Sequence, residues 1–164
     1  MKPAVAEAAQ PRISNREIAR ILAEIADLLE IKGENSFRIR SYRVSSETVA
    51  HHGQELAEMV EQGLELRSLD GVGAGIAAKI REIVLTGDCA SRRELLVEVP
   101  EGLLELLQLP GLGPRGVAML WQKLGVRSAD DLLAAISDGR FRSLPGMKEK
   151  KEARILKGLR QRLS

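Results

Sequence analysis

Only four aromatic side chains, Phe37, Tyr42, Trp121 and Phe141, occur among 164 residues. A core this poor in rings must be built from Leu, Ile, Val and Ala, which suits packed helices better than a β-sandwich. The single cysteine, Cys89, excludes a disulfide framework and a cysteine-based zinc site. It follows a glycine stop, and nothing near it in sequence marks a nucleophile. The two histidines, His51 and His52, are adjacent at an expected helix end without a cysteine or carboxylate at metal-ligand spacing, so a metal role is not expected. No stretch is apolar for long enough to span a bilayer, and no charged-then-apolar leader is present, so the expected location is cytoplasmic. The chain holds no Asp-x-Asp pair, and no segment alternates polar and apolar residues as a strand would.

What is present is a hydrophobic fraction of 44%, enough for a packed core and too much for global disorder. The length allows one or two small domains. The net charge of +2 is unevenly spread. Residues 140–164 carry nine basic residues against Glu149 and Glu152, a net +7, while the rest carries 16 basic against 21 acidic, a net −5. Charge alone leaves two readings open: a basic end that meets phosphate, or a solvated helix face.

The apolar spacing predicts an all-α chain. Ser14 and Glu17 form a capping-box pattern before Ile18, Ile21, Leu22, Ile25, Leu28 and Leu29, and Gly33 ends that helix. A helix from about Phe37 to His52, a short one over Leu56–Gln62, and one from Ala74 to Leu85 follow. Residues 88–99 are expected to link into a second unit with helices over Pro114–Leu124, Leu132–Ile136 and Lys148–Leu163. Proline suits the first of these as an opening residue, and Ser128 with Asp131 caps the second. Asp130 and Asp131 read as complements to a helix dipole. Trp121 is expected in the core of the second unit.

The most informative pattern is Gly-hydrophobic-Gly, found as Leu69-Asp70-Gly71-Val72-Gly73 and again as Leu109-Pro110-Gly111-Leu112-Gly113. A degenerate third copy, Leu144-Pro145-Gly146-Met147-Lys148, precedes a basic run and is expected to pack structurally or act through side chains. Each reads as helix, tight turn, helix. The amides opening the second helix form a positive pole that suits an anion. Repeated along one chain, such turns point to sequence-independent contact with nucleic-acid phosphates through the backbone at Gly71, Gly73, Gly111 and Gly113. Arg115, Lys148, Lys150 and Lys151 extend the positive surface beside the later copies. The structural alternative is a tight turn with no ligand.

The stretch from Asn15 through Ile25-Ala26-Asp27-Leu28-Leu29-Glu30-Ile31-Lys32-Gly33-Glu34-Asn35-Ser36-Phe37-Arg38-Ile39-Arg40-Ser41-Tyr42-Arg43 resembles the start of family X DNA polymerases, especially the bacterial ones. The first hairpin with Lys79, Ile80 and Thr86-Gly87, then Pro110-Gly111-Leu112-Gly113-Pro114, then Leu144-Pro145-Gly146 with Lys150, fit the same family in the same order. The resemblance covers residues 13–159. It implies a tail over residues 1–12, a polymerase-beta-like amino-terminal domain over 13–90 with the first hairpin, and a DNA-binding subdomain over 91–164 with the other two. It implies a monomer that binds gapped, nicked or duplex DNA in repair. Polymerisation in that family needs palm aspartates holding two metal ions, which this chain lacks, so this chain alone is not expected to polymerise DNA.

By the same resemblance Lys79 matches the lysine that forms a Schiff base in members with 5′-deoxyribose phosphate lyase activity. Arg38, Tyr42 and Arg67 match a 5′-phosphate pocket. Gly75 stands where a phosphate-binding lysine often occurs, and Phe37 where some members have a base-stacking histidine. Arg40 is a candidate to restore the missing charge, and Phe37 can still stack on a base. No tightly bound cofactor is implied. A monovalent cation, Na+ or K+, is implied at the hairpins when DNA is bound, held by the carbonyls of Leu69 and Val72 and of Leu109 and Leu112. Two other readings compete with this one: a non-enzymatic helix-hairpin-helix DNA-binding module with no preference for a 5′-phosphate, and a protein-interaction module in which the hairpins only build the fold.

Overall fold

A computed structural model of the chain describes residues 12–163. The described residues form nine α-helices and no strand. They are α1 (Asn15–Lys32), α2 (Ser36–Ala50), α3 (Leu56–Glu61), α4 (Ala74–Thr86), α5 (Ala90–Glu98), α6 (Gly102–Leu106), α7 (Pro114–Leu124), α8 (Ala129–Ser137) and α9 (Glu149–Leu163). Two three-residue 3-10 turns, Leu66–Ser68 and Phe141–Ser143, complete the order. Of the segment expected to be a tail, residues 1–11 lie outside the described residues. Arg12 is described and pairs with Glu61 at 2.7 Å.

The contacts divide the chain into two units. Among the described residues, one unit comprises the chain up to Ala26 together with Ser36–Arg93, and the other Asp27–Asn35 together with Glu94–Leu163. The end of α1 therefore packs with the second unit, unlike the boundary at 90/91 drawn from sequence. Leu28, Leu29 and Ile31 are all fully buried there, so the apolar stripe that reads as one face closes nearly round the helix.

In the first unit the Ser14 hydroxyl oxygen accepts from the Glu17 amide at 3.1 Å, starting α1 as its cap pattern predicts. Asn15, only 6% exposed, does more. Its Oδ1 accepts from the Leu56 amide at 2.8 Å and its Nδ2 donates to the Gln54 carbonyl at 2.9 Å. One side chain on α1 thus caps α3. Ser46 Oγ of α2 donates to the Ala19 carbonyl at 2.7 Å, and Arg92 of α5 reaches Glu24 of α1 at 2.8 Å. Ile18, Leu22, Ile25, Val49, Leu56, Leu66, Ile80 and Ile83 fill the core between these struts.

The second unit buries Val99, Leu103, Leu106, Val117, Leu120, Leu132, Phe141, Ile155 and Leu159. Its central aromatic is Phe141. Trp121, expected in this core, is only half-buried, because Val117 and Leu120 occupy the inward face of α7 and leave it the flank. Helix α9 crosses the second hairpin closely: a Cβ on Gly158 would lie 3.0 Å from Pro110 Cδ.

Two hairpins depart from helix–turn–helix. In the first and third copies the leading helix is a single 3-10 turn. There Ser68 Oγ donates to the Glu65 carbonyl at 2.9 Å and Ser143 Oγ to the Arg140 carbonyl at 2.6 Å. A serine that takes a nearby backbone carbonyl competes with helix propagation.

Candidate nucleic-acid interface

The three hairpins share one backbone. Gly71, Gly111 and Gly146 have φ of 76°, 88° and 77°. In each turn an amide bonds the carbonyl three residues back: Val72 to Leu69 at 3.1 Å, Leu112 to Leu109 at 3.2 Å, Met147 to Leu144 at 3.2 Å. Positive φ at the third position is the type II turn, which only glycine enters without strain. The residue after it is buried in every copy and plugs the turn into the core. Helix α4, α7 or α9 then starts two residues on, with its first amides lacking intrahelical partners.

The copies differ at the pole these amides create. Helices α4 and α7 have no acidic residue in the first turn and no side-chain cap. Helix α9 has Glu149 and Glu152 there. Glu152 is 7% exposed and accepts from Arg142 Nε at 2.7 Å. The third pole is thus neutralised by its own chain, whereas the first two face outward uncompensated.

Glycine makes the same distinction. Gly71 is required by its φ and by packing, since a Cβ there would meet Val44 Cγ1 at 2.5 Å. Gly73 and Gly113 are extended, with φ of −87° and −116°, and a Cβ on either would meet nothing within 4 Å. Gly75, inside the first turn of α4, is equally open. Neither backbone strain nor internal packing demands glycine at these three positions.

Gly73 and Gly75 open onto a groove of about 330 Å³ within the first unit. Its walls are Arg38, Ser41 and Tyr42 of α2, and Gly71, Gly73, Gly75, Ile76 and Lys79 from the hairpin and α4. Four of the residues singled out from sequence, Arg38, Tyr42, Gly71 and Gly73, therefore meet Lys79 in one concavity. Tyr42 is 3% exposed, and Arg38 and Ser91 stand near its hydroxyl. Burial pushes the phenol above its ordinary value, so it stands there as a neutral hydroxyl. Lys79 is half-buried, and behind it the Cys89 thiol is fully buried and pushed up by loss of solvent.

Two of the arginines lie elsewhere. Arg67 is exposed on the 3-10 turn before the hairpin and is not a groove residue. Arg40 lines a separate hollow with Phe37 and Arg43 on the other side of α2, so it does not replace the charge that Gly75 lacks. Phe37 is 80% exposed in that hollow. At the second hairpin, Arg115 is exposed on the first turn of α7. The side chains of Leu69, Val72, Leu109 and Leu112 are buried, and the Leu69 and Leu109 carbonyls already accept the turn amides, leaving one lone pair each.

Sequence reasoning missed Ser41 and Ser91. Ser41 follows Arg38 by three residues, a helical spacing that could have found it. Ser91 reaches Tyr42 only through the packing of α5. Among the described residues no cluster of His, Cys, Asp and Glu could hold a metal ion, and no helix is long and apolar enough to cross a membrane.

Residues 13–89 match the family model of a helix-hairpin-helix domain, and residues 103–161 that of a SAM-like helix-hairpin-helix tandem. The chain is 35% identical over 144 residues to the DNA polymerase/3'-5' exonuclease PolX of Bacillus subtilis (strain 168). That alignment covers 88% of this chain and 25% of the relative, so the chain spans about a quarter of the length of the curated relative it matches. Two helix-hairpin-helix matches in tandem, carried on one continuous alignment with PolX, make this chain a helix-hairpin-helix member related to the family X DNA polymerases.

Proposed function

We propose that this chain binds DNA without reading its sequence, at gaps or nicks, as the DNA-engaging part of a family X polymerase acting in repair. The observation that carries the reading is the groove in the first unit. It combines an uncompensated helix pole, two glycines with no structural need to be glycine, a guanidinium and a buried phenol hydroxyl. A terminal phosphate suits that set: backbone amides and Arg38 donate to its oxygens, and Tyr42 adds one hydroxyl donor. The second hairpin, with Gly113 and Arg115, holds the flanking duplex through backbone phosphates. On this reading the protein acts as a monomer, and K+ or Na+ on the free lone pairs of the hairpin carbonyls bridges turn and phosphate. Replacing K+ by tetramethylammonium at constant ionic strength then weakens binding.

Lys79 extends the reading to chemistry, because its amine borders the same groove. On a 5′-deoxyribose phosphate, Nζ attacks the C1′ aldehyde and water leaves as the imine forms. Loss of a C2′ proton then breaks the C3′–O bond and frees the 5′-phosphorylated strand. The test is one titration series and one trap. Binding is measured on gapped DNA with and without a 5′-phosphate; equal affinity for both refutes the terminal-phosphate reading and leaves a plain duplex binder. Borohydride trapping on a one-nucleotide gap bearing the sugar phosphate should give an adduct that Lys79→Ala abolishes. Binding without an adduct removes the lyase activity and leaves the gap reading standing.

A further inference from the structure

Helix α9 lies against the second hairpin, and its charge is disposed there in a way that the hairpin pattern alone does not contain. Gly158 lets α9 approach Pro110 and Leu109 closely. Two turns and one turn earlier, the Lys151 Cγ and the Arg154 guanidinium carbon come within 3.8 and 4.0 Å of where a Cβ on Gly111 would sit. Arg154 is exposed, and Lys150 and Lys157 flank it at i−4 and i+3 on the same side of the helix. That stripe runs about 10 Å along α9.

Part of the molecule's positive charge is already paired. Arg20, Lys32, Arg92, Arg140 and Arg142 each sit in an ion pair with a carboxylate. Lys150, Arg154 and Lys157 have no carboxylate partner among the described residues. Of the two acids on α9, Glu152 is turned inward and held by Arg142, and Glu149 is exposed in the first turn. The buried acid is thus spent on the third hairpin, while Arg154 stands beside the second.

We infer that Lys150, Arg154 and Lys157 form a phosphate-binding stripe that continues the second hairpin, with Arg154 contacting the DNA strand gripped at Gly111–Gly113. The inference rests on the reading of the second hairpin as a duplex-phosphate site. The third hairpin serves on this view as the brace that aims α9, through Arg142 and Glu152, rather than as a phosphate turn.

The test is affinity for a blunt DNA duplex as a function of salt, with thermal melting to verify the fold of each variant. Each phosphate contact contributes about 0.9 to the slope of log affinity against log salt. Arg154→Ala should lower the slope by about 1, which at 0.1 M salt is about an eightfold loss relative to extrapolated 1 M. Arg154→Lys should recover most of the slope, and Lys123→Ala, at the far end of α7, should leave it unchanged. Gly113→Ala reports on the hairpin itself. If Gly113→Ala weakens binding while Arg154→Ala leaves both slope and affinity intact, the stripe is refuted and the hairpin reading survives. If Gly113→Ala binds as the parent does, the hairpin reading fails and the stripe falls with it.

Discussion

Two glycines two residues apart should fail in opposite ways when given a methyl group. Alanine at position 71 must hold φ near 76°, which costs about 1–2 kcal/mol for an L-residue. Its Cβ would also stand 2.5 Å from Val44 Cγ1, so the Val44 side chain or α2 must shift, adding about 1–3 kcal/mol of overpacking. Gly71→Ala should therefore lose about 2–5 kcal/mol, visible as a melting temperature lower by about 5–15 °C. Alanine at position 73 meets no strain and no neighbour. The lower entropy of its unfolded chain, about 0.4–1 kcal/mol, offsets the loss of a better N-cap residue, so its stability should lie within about 1 kcal/mol of the parent. Its methyl group, however, projects toward whatever approaches the α4 amides. A lost charge-assisted hydrogen bond is worth about 1.5–3 kcal/mol, so binding to 5′-phosphorylated gapped DNA should weaken about 10- to 100-fold. Melting curves and fluorescence anisotropy on the same two proteins decide the matter. A Gly73→Ala variant that melts and binds like the parent would show that no ligand lies against this turn.

Asn15→Ala removes the cap that α1 lends to α3 and leaves the buried Leu56 amide unpaired; a loss of about 1–3 kcal/mol is expected in urea unfolding, with an unchanged m-value. Alkaline pH should destabilise the first unit through Cys89 and Tyr42. Both are raised above their ordinary values of 9.0 and 10.0, so the unfolded chain releases these protons first. The stability they lend is complete below about pH 9 and is lost as pH rises through the folded values. Cys89→Ala should therefore flatten the fall in melting temperature between pH 8 and 11, and a fall identical to the parent's would assign it to other groups. The same burial predicts that an alkylating reagent modifies Cys89 only when the protein opens, so labelling should accelerate in urea in step with unfolding. Arg142→Ala should lower the melting temperature by leaving the buried Glu152 carboxylate unpaired, and Arg142→Ala combined with Glu152→Ala should restore part of the loss.

Much of this architecture is written locally, and the parts that are not share one cause. The helix stops at Gly87, Gly125 and Gly139 are legible because a left-handed residue ends a helix wherever it occurs, and each has φ above 60°. Ser14 and Ser128 are legible because a cap acts over three residues. The turns at Gly71 and Gly111 are legible for the same reason. Sequence could not separate the two glycines of each pair, since one is demanded by a dihedral angle and the other by nothing inside the protein. Nor could it show that Arg38 and Arg40, two residues apart, face different hollows: both fit a basic stripe until α2 is docked and the groove takes Arg38 alone. The third hairpin is the sharpest case. Its sequence departs from the pattern at Lys148, yet its backbone turn is the same as the others, because the lysine does not have the positive φ that would call for glycine. What changes is the electrostatics. Glu152 falls in the first turn of α9 and draws in Arg142 from ten residues back, a contact that exists only once the 3-10 turn and the helix have packed. Turn geometry repeats along this chain by local rule, whereas the openness of each pole to an anion is decided by tertiary neighbours.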